Sequence, residues 1–171
     1  TVNKLAELLL SKGHTVLYNL QENIDVIFCF DPRPNAFGES INHLYAYREK
    51  SPKTKIVQRV GDLGTHSKPH LTDLVRYCLN KSDYFIFPSL WSKEWIGFQG
   101  KNCDIIDNAP MKIFYNNRNT NLQLGDKIRV VTHHWSTNPK KGFDVYQKFE
   151  EWCKDKDISF HYIGQLPPGI N

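Results

Sequence analysis

Ile24-Asp25-Val26-Ile27-Phe28-Cys29-Phe30 is a run rich in β-branched and aromatic residues, closed by Asp31-Pro32. A run of this length and type, bounded by turn residues, reads as a buried strand followed by a turn. Upstream, Leu5, Leu8 and Leu9 with Val2 and Ala6 fall at helical spacing, Gly13 stops that helix, and His14 to Leu17 reads as a short strand. Downstream the alternation continues. Residues 40–50 suit a helix with Ser40 as N-cap, 55–60 a strand, 70–81 a helix, 84–87 a strand, 90–99 a helix and 103–106 a strand. The polar stretch Asn116-Asn117-Arg118-Asn119-Thr120-Asn121 reads as a linker. Beyond it, 127–132 is a strand, 141–155 a helix and 159–163 a strand that ends at Gly164.

Strands and helices alternating at these lengths predict an α/β protein built on a Rossmann-like parallel sheet with helices on both faces. The predicted organisation is a first domain over 1–115, a linker over 116–125, and the start of a second Rossmann-like domain over 126–171. In such sheets the ligand sits beyond the carboxyl ends of the strands. Function is therefore expected in loops 31–39, 60–70, 88–92, 133–141 and 164–171.

Composition narrows the classes. Hydrophobic residues make up 40% of the 171 and charged residues 23%, which is the profile of a packed domain and excludes a disordered chain. The net charge of +4 is spread among interspersed signs, and no Lys/Arg block reads as a nucleic-acid arm, so no nucleic-acid partner is expected. A local anion such as phosphate remains compatible with that balance. Cys29, Cys78, Cys103 and Cys153 show neither CxxC nor finger spacing, which argues against a zinc site and for free thiols in a reducing, cytoplasmic setting. No apolar stretch approaches the roughly 18–20 residues of a membrane span, and no signal peptide is evident. The chain opens on a helical pattern without Met and stops at Gly169-Ile170-Asn171, so both ends are expected to be cut.

The richest segment for chemistry is Val130-Val131-Thr132-His133-His134-Trp135-Ser136-Thr137-Asn138-Pro139-Lys140-Lys141-Gly142-Phe143-Asp144. A strand runs into a polar loop, and a helix opens beside two lysines. Backbone N–H groups at a helix start form an anion site. A lysine about 4 Å from a phosphate oxygen adds roughly 4 kcal/mol of attraction at an effective dielectric near 20. On spacing alone, a solvated lysine pair is the blander alternative.

Strand, loop, Lys141-Gly142 and amphipathic helix together resemble the donor-phosphate loop that opens the second domain of GT-B glycosyltransferases, particularly the large retaining family 4. Ile105-Ile106-Asp107-Asn108-Ala109-Pro110-Met111-Lys112-Ile113-Phe114 resembles that family's approach to its linker. Phe160-His161-Tyr162-Ile163-Gly164 resembles its next strand and glycine turn, and the stretch from Asn3 to Val16 its first helix with Gly-His before a strand. The sequence departs from the pattern where His133, His134, Trp135 and Ser136 replace a loop arginine, and where Ala109 follows Asn108. The family's first glycine-rich turn is expected ahead of Thr1 and its acidic donor-sugar motif well beyond Asn171, so neither falls within these residues.

The resemblance implies a GT-B fold, incomplete in its second domain. It also implies a hexosyltransferase-type transfer of a sugar from a nucleotide-diphosphate donor to the hydroxyl of a glycan, lipid or other acceptor, with retained configuration and no metal or other cofactor. It assigns Lys141 first, then Lys140, with Ser136 and the backbone of Gly142 and Gly164, to the donor diphosphate. Arg59, Asp62 and His66, from Gln58-Arg59-Val60-Gly61-Asp62-Leu63-Gly64-Thr65-His66, are its candidates for catalytic and substrate contact. A structural reading of the same residues has Asp62 capping a turn with Arg59 paired to it. Two other classes remain: a non-catalytic module that binds a glycan or nucleotide, and an α/β epimerase or dehydrogenase, which would need a glycine fingerprint ahead of Thr1. No GxSxG elbow, GxxxxGK[ST] loop or intact GxGxxG occurs.

Overall fold

The computed structural model describes residues 2–65, 68–110, 112, 125 and 127–169. The chain forms two compact units, Thr1–Ala109 and Pro110–Asn171. The proposed linker over 116–125 lies outside the described residues apart from Gly125, and His66 also lies outside them.

In the first unit, helix α1 (Val2–Ser11) precedes strand β1 (Val26–Cys29). Helix α2 (Ile41–Lys50), strand β2 (Lys55–Arg59), helix α3 (Pro69–Cys78), strand β3 (Tyr84–Phe87), helix α4 (Leu90–Ile96) and strand β4 (Cys103–Ile105) follow. The four strands form one parallel sheet in the order β1-β2-β3-β4. This is a Rossmann-like α/β arrangement.

Register and a period of two decide which side chains share a face. Ile27 pairs with Ile56, Cys29 with Gln58, and Gln58 with Phe85, so these residues line one side. On that side Ile41 and Tyr45 of α2 pack on Ile27, Cys29 and Ile56. Leu71 and Val75 of α3 and Ile96 of α4 pack with Phe85, Phe87 and Phe98. The expectation of helices on both faces is corrected here for the crossover helices, because α2, α3 and α4 all lie on this one side. Strands added in a single direction through right-handed crossovers return each helix to the same face. The other face, with Phe28, Val57 and Ile86, is half-buried.

A second correction concerns His14 to Leu17, which form no strand; Leu17 is exposed. A strand needs a neighbouring edge for its backbone groups, and among the described residues β1 pairs with β2 alone. The 90–99 helix ends sooner than expected, at Ile96, where Gly97 caps it. The Cys29 thiol is pushed up to about 12, chiefly by burial, and all four cysteines are free.

Asp83 ties β2 to β3. Its carboxylate accepts the Ile56 N–H at 2.9 Å and an Arg48 guanidinium N–H at 3.0 Å, with the Lys55 ammonium at 3.6 Å. Burial alone would raise this carboxyl, but the Ile56 and Arg48 hydrogen bonds and the Arg48 and Lys55 charges outweigh it and hold the group below the usual range. Asp83→Ala should cost about 1–3 kcal/mol, because the Ile56 N–H loses its acceptor. A carboxyl depressed in the folded state contributes fully above its unfolded pKa and ceases to contribute as pH falls through the folded value. Urea titrations of wild type and variant should therefore differ most at pH 7, with the difference shrinking as pH falls below about 4.

The second unit holds strand β5 (Ile128–His134), a 3-10 turn (Pro139–Lys141), helix α5 (Phe143–Cys153) and strand β6 (Ile158–Gly164), with β5 and β6 parallel. Phe143 packs its ring 5.5 Å from Tyr162, and Phe149 lies edge-on to Phe160 at 5.2 Å. The aromatic side of α5 therefore covers the sheet face of Phe160 and Tyr162, which register places with Val130 and Thr132. Both strands exceed expectation: β5 runs on through His133 and His134 because pairing with β6 persists to Gly164. The single helix expected over 141–155 is instead a 3-10 turn followed by α5. Gly142, at φ 85°, takes the left-handed conformation that divides them. Among the described residues no helix is long and apolar enough to cross a membrane.

Candidate functional site

The carboxyl end of β5 is built by a chain of short polar turns. Ser136 N–H donates to His134 Nδ1 at 2.9 Å, Asn138 N–H to Ser136 Oγ at 3.2 Å, and Lys140 N–H to Asn138 Oδ1 at 3.0 Å. Lys141 N–H closes the turn onto the Asn138 carbonyl at 3.0 Å. Because His134 Nδ1 accepts, the ring proton of its neutral form sits on Nε2. Side chains of the Asn and Ser type hold a backbone two residues on in this way, which orders the 134–142 segment before any ligand arrives. Lys141 is half-buried at its end and has no ionic partner among the described residues; Lys140 is exposed. Ser136, Lys140, Lys141 and Gly142 thus share one turn.

Gly164 meets this turn from β6. Its φ is 143°, and a Cβ there would collide with the carbonyl oxygen of His134, its partner in the β5–β6 register. The same carbonyl accepts from Tyr162 Oη at 2.9 Å and from Gln165 N–H at 3.1 Å. Gly164 therefore acts on the His134 backbone, which it allows to approach closely.

In the first unit the carboxyl ends of β1 and β2 carry a rim of charges. Asp31 accepts from Arg33 Nε at 2.9 Å and Nη2 at 2.5 Å. Asp62 accepts the Gly64 N–H and the Lys68 ammonium, each at 2.9 Å. Arg59 Nη2 donates to Asn108 Oδ1 at 2.7 Å. Asp62 does cap a turn, but its cation is Lys68, while Arg59 reaches the neutral Asn108.

The Arg33 hydrogen bonds hold the Asp31 carboxyl below its ordinary range, against burial and the nearby Asp62 charge. Burial would raise Asp62, and the Lys68 and Gly64 hydrogen bonds with the Lys68 and Arg33 charges overcome it. Both carboxylates are ionised at neutral pH, ready to accept hydrogen bonds from hydroxyls and poor proton donors. With three cations around two carboxylates, the rim keeps one net positive charge.

No family model and no curated protein matches this sequence.

Several of these residues carry a local signal in the sequence itself. Asn138 stands two residues after Ser136 and before Pro139, a spacing that marks successive Asx-type turns. Gln58, fully buried, is the polar residue at an inward position of β2, where Ile56 holds the other. Its Oε1 accepts from Ser82 Oγ at 3.1 Å, and its Nε2 has no partner among the described residues. Gln58 lines a cavity of about 10 Å³ with Asp31, Arg59 and Asp62, room for about one water molecule. Lys68 and Arg33 were visible only as loop charges, since nothing in their spacing names Asp62 and Asp31 as partners. Among the described residues no three His, Cys, Asp or Glu side chains gather as a metal site.

Proposed function

We propose that this chain is part of a GT-B-type glycosyltransferase, moving a sugar with retention from a nucleotide-diphosphate donor to an acceptor hydroxyl. The observation that carries the reading is Lys141: a half-buried cation with no ionic partner among the described residues, at the end of a turn ordered by His134, Ser136 and Asn138. Cleavage of the donor's glycosidic bond places charge on the departing diphosphate, and the residues needed are those that hold that charge in a fixed geometry. Lys141 takes the principal role, with Lys140, Ser136 and the backbone at Gly142 beside it, and Gly164 keeps the turn seated on β6. In the first unit Arg59 and Asp62 serve the acceptor side, Asp62 by accepting hydroxyl hydrogens. His66 completes the candidate set by sequence.

The test is to incubate the protein with UDP-, GDP- and ADP-sugars in turn and follow release of the nucleoside diphosphate. Release that depends on Lys141 supports the reading; absence of release from every donor contradicts it. Asn138→Ala offers a milder check on the turn. Losing the acceptor for Lys140 N–H should lower stability by about 0.5–1.5 kcal/mol and raise the KM for the active donor, as read from melting curves and initial rates. An unchanged KM would remove the turn from donor binding.

A further inference from the structure

Beyond the carboxyl ends of β2 and β3 the first unit has an open hollow of about 210 Å³, walled by Val60, Asp62, Thr65, Ser89 and Trp91 among others. That is below the roughly 300–1,000 Å³ of pockets for drug-sized ligands, so it fits a single ring. Trp91 is 57% exposed, a large apolar surface left in water at the rim of the hollow. Its ring is held in place from one side. Trp95, four residues on in α4, lies 6.0 Å away centroid to centroid, and the Arg76 guanidinium of α3 sits 5.9 Å from the Trp95 ring. This Arg76–Trp95–Trp91 series joins the two helices and presets the indole, which lowers the ordering cost of binding.

Asp62 also lines the hollow, held ionised by Lys68 and the Gly64 N–H. Ser89 Oγ accepts the Ser92 N–H at 3.2 Å, a cap that does not use the Ser89 hydroxyl proton. An indole, a fixed carboxylate and a hydroxyl lining one hollow match a pyranose. The C–H face of such a ring carries partial positive charge and lies on the negative face of the indole. Its equatorial hydroxyls donate to the carboxylate and accept from the serine.

We propose that this hollow takes one pyranose ring of a neutral glycan, stacked on Trp91 with hydroxyls on Asp62. It follows that the acceptor of the transfer is a glycan and not a lipid; that second step rests on the transferase reading, whereas the binding site itself does not.

The experiment is saturation-transfer NMR and fluorescence titration with the methyl pyranosides and β-linked disaccharides of glucose, galactose, mannose and N-acetylglucosamine, each to tens of millimolar. At least one should bind, with saturation transferred to its C–H face. Trp91→Ala should weaken that binding about tenfold or more, the equivalent of about 1.4 kcal/mol. Trp91→Phe, which keeps an aromatic ring and guards against misfolding of the alanine variant, should weaken it severalfold. Trp152→Phe, in the other unit, should leave it unchanged. Absence of binding by every sugar, or wild-type binding by both Trp91 variants, overturns the proposal. Displacement of the sugar from wild type by UDP or GDP alone also overturns it, since the hollow would then belong to the nucleotide. Sugar binding without donor turnover would sink the transferase reading and leave this site standing. Donor turnover without sugar binding would do the reverse.

Discussion

Lys141→Ala should lower the rate of sugar transfer by on the order of 10²–10³ while leaving the melting temperature close to wild type. The large kinetic effect follows from the cost of losing one preorganised contact to charge that develops in the transition state. The small thermal effect follows from the surroundings of the side chain. Lys141 is only half-buried and has no ionic partner among the described residues, so its removal leaves no buried charge unpaired and no large cavity. Surface changes of that kind usually stay within about 0.5 kcal/mol. Lys141→Arg should retain part of the rate because the charge remains, although a planar fork does not reproduce an ammonium point charge. Lys148→Ala, an exposed lysine on α5 outside the turn, should change neither quantity. Equal losses at 141 and 148 would mean that general positive charge, and not this turn, is what the reaction uses.

Gly164→Ala should unfold the second unit. The added Cβ would overlap the His134 carbonyl oxygen, and the residue would have to keep a φ of 143° that side chains rarely adopt. Relief by moving His134 is blocked from both directions, because its carbonyl already accepts from Tyr162 Oη and Gln165 N–H, and its ring nitrogen holds Ser136. Steric overlap with backbone belongs to the mechanisms that cost more than about 4 kcal/mol, which is most of what a small unit has to spend. The readout is local: amide signals of β5, α5 and β6 should lose dispersion while those of β1 to β4 persist. A variant with wild-type chemical shifts throughout would show that Gly164 is not a close-packing position.

The particular residues show what could be read in advance and what could not. The β1 to β4 sheet was legible because Val26 to Cys29, Lys55 to Arg59 and Tyr84 to Phe87 combine strand-forming residues with turn signals on their flanks. His14 to Leu17 has similar local character and fails as a strand, since pairing depends on an edge elsewhere in the molecule that sequence spacing does not reveal. The one-sided placement of α2, α3 and α4 depends on strand order, which alternation alone leaves open. At the candidate site, Ser136, Lys140 and Lys141 were legible as a polar turn before a helix. The role of His134 was not, because it rests on a ring nitrogen meeting an N–H two residues later. Likewise the Asp62–Lys68 and Asp31–Arg33 pairs express loop conformations that charge spacing does not encode.

The most direct test of the central claim is release of nucleoside diphosphate from a panel of nucleotide sugars in the presence of a neutral oligosaccharide, comparing wild type with Lys141→Ala at matched folding. The account expects one donor to be consumed by wild type, with a glycosylated product of retained configuration, and consumption to fall at least about a hundredfold in the variant. Consumption of no donor by wild type, or equal consumption by the two proteins, would contradict it.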